Sequence, residues 1–447
     1  MRNSLLLFTL LMIPGLALSQ ASWVDEGGWP DDTTFTVPMH GVAVDPDGKV
    51  WLTPFFNSAW IDPVTQDSVR DADGNPIFTR AIWVYNADGT PAMDPIRTIT
   101  VDGKTDTLTS SARGLRADNN GNILHVDGSG NMWRINYVTG EGMNWALVAD
   151  DTSVGQPAVA DDGTIYTGNV LQDFPIKMWD TDFNFLTNAV DTARGFSRGF
   201  EVSADGNTIY WGGFTNAELH VYRRDDEFSA FGIPDTVYRG IWAESFTRDP
   251  NGMVWISNDY RAGESGTMWA EPRTFLAWFA TDPAAGKTDA FVDSFQLVLE
   301  SPSDPVTEKA RGLAFTSDGM TAYAVLWDAN TSGNDPLQAT VKKLVKKEAT
   351  AIEREGLGIP TSFELSQSYP NPFNPSATIN FKLTEPGVAL LTVYDAYGRK
   401  VGTLVDEKLA AGSYNATFDA RNLASGTYFY HLQFNGQRLS RKMTLLK

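Results

Sequence analysis

Cysteine is absent from the 447 residues. With no thiol there is no disulfide, no thiolate metal site and no cysteine to carry a lipid, so stability must come from buried core. Histidine is scarce: His40, His125, His220 and His431 are the whole complement, which argues against a histidine-built metal centre. Beyond the first 19 residues no segment approaches the roughly 20 apolar residues that span a bilayer. Positive charge is thin as well. The total of −20 divides into −24 on residues 20–345, +3 on residues 363–447 and the lone Arg2 of the leader. A domain that acidic is repelled by phosphate backbones, which argues against a nucleic-acid partner. There is also no Walker loop, no Gly-x-Ser-x-Gly elbow and no His-Glu-x-x-His pair.

What is present begins with MRNSLLLFTLLMIPGLALSQ. A positive start, an apolar run from Leu5 to Leu18 and a small-x-small end at Ala17-Leu18-Ser19 read as a secretory signal peptide over 1–19, passed to the Sec translocon. The expected mature chain is soluble and exported.

After the leader, one unit keeps returning. Its turn glycines are Gly48, Gly121, Gly163, Gly206, Gly252 and Gly319, each preceded by Asp or Asn. Asx-Gly marks a tight turn, because glycine takes positive φ without penalty. Three or four residues further on stands a large apolar residue: Trp51, Leu124, Tyr166, Tyr210, Trp255 and Tyr323. Before the turn, apolar residues alternate with period two, as in Val42/Val44 and Leu313/Phe315, the pattern of strands. Four strands in 42–46 residues is the size of one β-propeller blade, and six copies predict six blades. Two long spacings hold inserts, 57–80 and 258–273, read as loops. The last copy ends after its third strand, 341–345, and a segment before Met39, within 33–37, is expected to supply the missing outer strand.

Eight residues before each turn glycine stand His40, Arg113, Gly155, Arg198, Glu244 and Arg311. In a propeller these positions open onto the central channel. Three arginines and a histidine with one acid are unexpected in so acidic a domain. Guanidinium groups suit bidentate recognition of carboxylate, sulfate or phosphate, so the set reads as a site for an anionic ligand such as an acidic sugar or a carboxylated peptide end. The other reading is that these arginines pair with acids and hold neighbouring blades together. The stretch DADGN (71–75) spaces its oxygens like the start of a calcium loop, but its glycine and its twelfth position are wrong, and it reads as a turn.

The stretch GLRADNNGNILHVDGSGNMWRINYVTGE (114–141) resembles the NHL, virginiamycin B lyase and gluconolactonase-like propellers. The gluconolactonase-like resemblance implies a single divalent ion in the channel, for which Glu244 is the one acid of the ring. Glu218 and His220 resemble the Glu-x-His pair of the lyase group, without its companion histidine motif. No catalytic residue and no cofactor is assigned on this basis.

Near the end, FELSQSYPNPFNPSATINFKL (363–383) resembles the opening of the type IX secretion sorting domain, type A. Short alternating strands over 363–447 read as a small immunoglobulin-like β-sandwich. The resemblance implies a sorting signal in Pro370, Asn371, Pro372, Phe373, Asn374, Pro375 and the basic end around Lys442 and Lys447. It also implies passage through the periplasm and the type IX machinery to the cell surface or the medium, with the tag commonly removed. The chain is thus expected to be all-β: a six-bladed propeller over 20–345, a linker over 346–362 and the sorting domain. It is expected to act as an exported binding protein with an unknown extracellular ligand. A metal-dependent lactonase or lyase and a structural surface-layer component are the alternatives.

Overall fold

The computed structural model describes residues 23–447 apart from 32–37, 63, 151, 172, 214–216, 240–242, 259–274, 284–290, 299–308, 328–339, 347–350, 356–359, 361, 386, 410 and 422. The leader, the segment 33–37 and most of the insert 258–273 lie outside the described residues. Among the described residues there is no α-helix, and no helix long and apolar enough to cross a membrane. The chain divides into two compact units, broadly residues 23–346 and 347–447.

In the first unit the six turn glycines all have positive φ, between 66° and 88°. In each turn the glycine N–H donates to the carbonyl three residues earlier. Where that earlier residue is Asp45, Asp118 or Asp249, its carboxylate also accepts two backbone N–H groups of the turn. Asp45 and Asp249 use their second oxygen to accept from the indoles of Trp51 and Trp255, both at 3.0 Å. One short side chain therefore fixes the turn and the core tryptophan together.

Each turn joins the first two strands of an antiparallel sheet, and there are six such sheets. The first holds Met39–Val44, Val50–Pro54 and Trp83–Tyr85; the second Ala112–Ala117, Ile123–Asp127, Asn131–Ile135 and Gly142–Leu147. The third runs from Ala158–Val159 to Phe185–Val190, the fourth from Phe200–Val202 to Asp235–Arg239, the fifth from Phe246–Arg248 to Phe291–Val298. The sixth begins at Lys309–Phe315, and its outer strand comes from the start of the chain. Trp23–Gly28 pairs antiparallel with Val341–Lys346, Trp23 opposite Lys346. The strand expected within 33–37 is thus supplied by residues 23–28. Its sequence, WVDEGG, lacks alternation, and it is held by its ends: Trp23 packs edge-on to Trp255 and Phe315, while Trp29, just beyond it, packs on Tyr85 and Tyr323.

The core follows the same order. Six apolar clusters each join two consecutive sheets; one sets Trp51 and Val84 against Leu115 and Trp133, and the last sets Val50 and Leu52 of the first sheet against Tyr323 and Val325 of the sixth. The large residues after the turns are at most 1% exposed, each worth roughly 1.5–3 kcal/mol of burial. The insert 57–80 is a hairpin, with Ser58–Ala59 paired to Phe78–Thr79. A further hairpin, Thr98–Val101 with Lys104–Thr107, follows it.

The second unit is two four-stranded sheets around one core that includes Phe381, Leu391, Tyr430 and Met443. Within the stretch expected to be linker, Ala351–Glu355 forms an edge strand on Gly412–Asp419. Its charge-rich sequence reads as linker, but an edge strand pairs along one side only and tolerates charge. Phe373 is 2% exposed. Its N–H donates to the Thr444 carbonyl at 2.9 Å and its carbonyl accepts from Leu446 at 3.0 Å. Asn371 Oδ1 accepts from the Thr444 N–H at 2.9 Å. The proline-rich entry and the chain's last strand are therefore one hydrogen-bonded unit.

Candidate functional site

The first strands carry an irregularity that the repeat does not announce. Met39 pairs with Pro54 and Gly41 with Thr53, so His40 has no opposite residue. Arg113 is skipped in the same way between Ala112 and Gly114, and Arg311 between Ala310 and Gly312. Each is a β-bulge, which re-aims one side chain and resets the alternation that follows.

The bulges bring the expected residues together. Glu244 is 2% exposed and its Oε2 accepts from Arg311 Nη1, with Arg198 Nη1 at 3.5 Å. His40 is buried, and its pKa is held well below the ordinary imidazole value, first by desolvation and then by the charges of Arg311, Arg113 and Arg198. Burial, then Arg311, Arg198 and Arg80, lowers the Arg113 guanidinium to about 10. Gly155, at the sixth equivalent position, adds no side chain.

The two readings of the ring divide between its members. Arg198 and Arg311 reach Glu244 from the fourth and sixth sheets and so clasp neighbouring sheets. Arg113 instead lies against an aromatic wall. Its guanidinium carbon is 5.1 Å from the centre of the Phe55 ring, which stacks on His40 at 5.6 Å and meets Phe56 edge-on at 5.2 Å. The pairing of Met39 with Pro54 places Phe55 there, since the second strand ends where the first begins. Among the described residues no carboxylate pairs with Arg113.

Sequence reasoning missed Arg80, which closes the insert 57–80. Its Nε donates to the Phe55 carbonyl at 2.6 Å, and Nη1 donates to the Thr109 carbonyl. It also missed a second ring, five residues before each turn glycine: Ala43, Arg116, Ala158, Glu201, Thr247 and Ala314. Arg116 crosses from the second sheet to pair with Glu201 of the fourth, and donates to Thr247 Oγ1 of the fifth at 2.9 Å. The repeat alignment could have found this set. Positions three apart face opposite sides of a regular strand, however, and the bulges at His40, Arg113 and Arg311 break that rule. The second ring lines a cavity of about 140 Å³ with Arg116, Glu201 and Thr247, joined by Arg248, Gln156 and Phe315 among others.

The remaining candidates fall elsewhere. Glu218 and His220 lie on Glu218–Arg223, the third strand of the fourth sheet, where Arg239 pairs with Glu218 and Thr236 Oγ1 meets His220 Nδ1 at 3.1 Å. Asp71 Oδ1 accepts the N–H groups of Asp73 and Asn75 at 3.0 and 2.8 Å, an Asx turn. A divalent ion in the channel needs several oxygen ligands. Glu244, the one acid of the ring, is engaged by two guanidiniums, and among the described residues no three His, Asp or Glu side chains converge. The residues present do not fit such an ion.

Comparison with known proteins adds the following. Residues 367–445 match the secretion system C-terminal sorting domain, which marks the chain for secretion to the cell surface or beyond it. No curated protein matches the chain. Among solved structures it is similar to regucalcin, a calcium-binding protein of Agrobacterium tumefaciens, at 13% identity over 72% of this chain and 95% of that one, with a TM-score of 0.45. It is similar to virginiamycin B lyase of Staphylococcus aureus at 12% identity over 72% and 99%, TM-score 0.41. A third likeness is to hydrazine synthase of Kuenenia stuttgartiensis, at 12% over 68% and 82%, TM-score 0.42.

Proposed function

Starting from a chain whose residues 367–445 are a secretion sorting domain, we propose that residues 23–346 form a closed six-bladed β-propeller serving as a surface-bound or released binding protein. Its ligand is anionic and docks at the mouth formed by His40, Arg113, Arg198, Glu244 and Arg311. Closure is supported by the six inter-sheet clusters, the last of which returns to the first sheet, and by the outer strand Trp23–Gly28. The binding reading rests on Arg113. This half-buried guanidinium has arginines for charged neighbours and a phenyl ring at one side. Such a group is costly to keep without an anion.

Export is proposed to use the type IX machinery after Sec passage, with Pro370, Asn371, Pro372, Phe373, Asn374, Pro375, Lys442 and Lys447 forming the sorting signal. The support is the bonding of Phe373 and Asn371 to the last strand.

The test of binding is thermal melting of the full chain against a panel of acidic sugars and divalent ions, with a chelator control. A ligand at 100 times its Kd adds about 2.7 kcal/mol. Stabilisation by an acidic sugar that disappears in Arg113→Ala supports the site. Stabilisation by calcium or magnesium, reversed by chelation, replaces this reading with the enzymatic one.

A further inference from the structure

Arg80 and Arg113 are held together by one residue. Arg80 donates to the Phe55 carbonyl, and Arg113 lies against the Phe55 ring. The two are near enough for the charge of Arg80 to act on Arg113. Arg80 spends Nε and Nη1 on carbonyl oxygens, which leave its charge in place. Its backbone N–H is tied to the Leu108 carbonyl at 2.6 Å, and Phe55 N–H to the Pro38 carbonyl at 3.1 Å, so the root of the insert is pinned where Arg80 meets Phe55. Among the described residues no carboxylate pairs with either arginine. Two like charges thus converge on one residue, Phe55, and neither is offset by a carboxylate among the described residues.

We infer that Arg80 and Arg113 together form a paired-guanidinium pocket for a doubly charged oxyanion, of the kind a phosphate monoester carries. The inference rests on the reading that the mouth binds anions and narrows it. The planar fork of Arg113 can give two N–H donors to one tetrahedral group and Arg80 can add those of its Nη2, and a second negative charge balances the second guanidinium. The exposed ring of Phe56, edge-on to Phe55, gives the organic part of the ester an apolar surface beside the charge. Glu244 is turned to Arg311 and Arg198, and His40 stays neutral above its lowered pKa.

Glucose 6-phosphate and glucose 6-sulfate are close in shape. Near pH 8 the phosphate ester carries two charges and the sulfate one, while near pH 5 each carries about one. Calorimetric titration of the full chain with both probes at both pH values makes the test. The expected result is at least a tenfold preference for the phosphate at pH 8, shrinking severalfold at pH 5, and lost in Arg80→Gln and in Arg113→Gln. Should Arg80→Gln fail to fold, Arg113→Gln carries the test. Equal binding of both probes at pH 8 overturns the doubly charged ligand while leaving the anion site standing. Binding of neither probe, nor of any acidic sugar, overturns both.

Discussion

The first unit holds two sets of arginine-bearing positions three residues apart in the repeat, and they use their arginines differently. In the inner set, Arg116 finds Glu201, the Thr247 hydroxyl and the Pro157 carbonyl. It meets a matched acid, and its bonds span three sheets. At the mouth, Arg198 and Arg311 converge on the single Glu244, while Arg113 and Arg80 have no carboxylate among the described residues. The difference separates arginine used as a tie rod from arginine left without a carboxylate partner among the described residues. Arg113, Arg198 and Arg311 stand at repeat-equivalent positions, and what sets Arg113 apart is that no carboxylate among the described residues meets it.

The comparison can be broken most severely by opening the ring that both sets depend on. Removing residues 20–29 takes away the outer strand of the sixth sheet and both anchoring tryptophans, Trp23 and Trp29; loss of the cooperative melting transition is expected, and an unchanged melting temperature would refute closure by this strand. Next in size is Glu201→Ala, which leaves Arg116 buried without its acid. It should cost about 3–5 kcal/mol, read from urea midpoints.

A smaller effect belongs to His40. Its pKa is lowered in the folded state, so the unfolded chain binds more protons, and its contribution to stability is complete above about pH 6.5 and lost as pH falls below that. His125, lowered to about 4, and His220 act in the same direction. His40→Gln should therefore lessen the loss of stability between pH 7.5 and 5.5 by about 1 kcal/mol, without abolishing it. The smallest effect is expected for Arg113→Ala in the absence of ligand. Where Glu201→Ala destabilises, Arg113→Ala should leave the melting temperature in place or raise it by about 2 °C, because it relieves repulsion. A large destabilisation there would erase the distinction between the two sets.

What was legible in the sequence follows from which features are local. A glycine with an Asx before it reports its own turn, so the six hairpins and the phase of the mouth residues could be read directly. The bulges at His40, Arg113 and Arg311 could not, because a skipped residue exists only relative to the partner strand. The inner set was hidden for that reason, though its residues stand at constant spacing. Arg80 was hidden differently: it closes an insert, outside the repeat, and reaches the mouth only because the hairpin 57–80 returns to its origin. AIERE reads as linker, and 33–37 reads as the outer strand in place of WVDEGG, since edge strands obtain their order from a neighbour rather than from their own alternation. The fold of the terminal domain, by contrast, announced itself through the proline-rich entry and its regular alternation.

One feature of the first unit also bears on how the chain is made. The strand Trp23–Gly28 finds its partner only in Val341–Lys346, at the far end of the same domain. Contacts of such long sequence separation form late, after the entropy of closing the intervening chain has been met. This strand cannot pair while the distal end is still being synthesised or has yet to arrive on the same side of a membrane. A protein destined for export gains from that delay, since the unlatched chain stays threadable until its last strand catches up with its first.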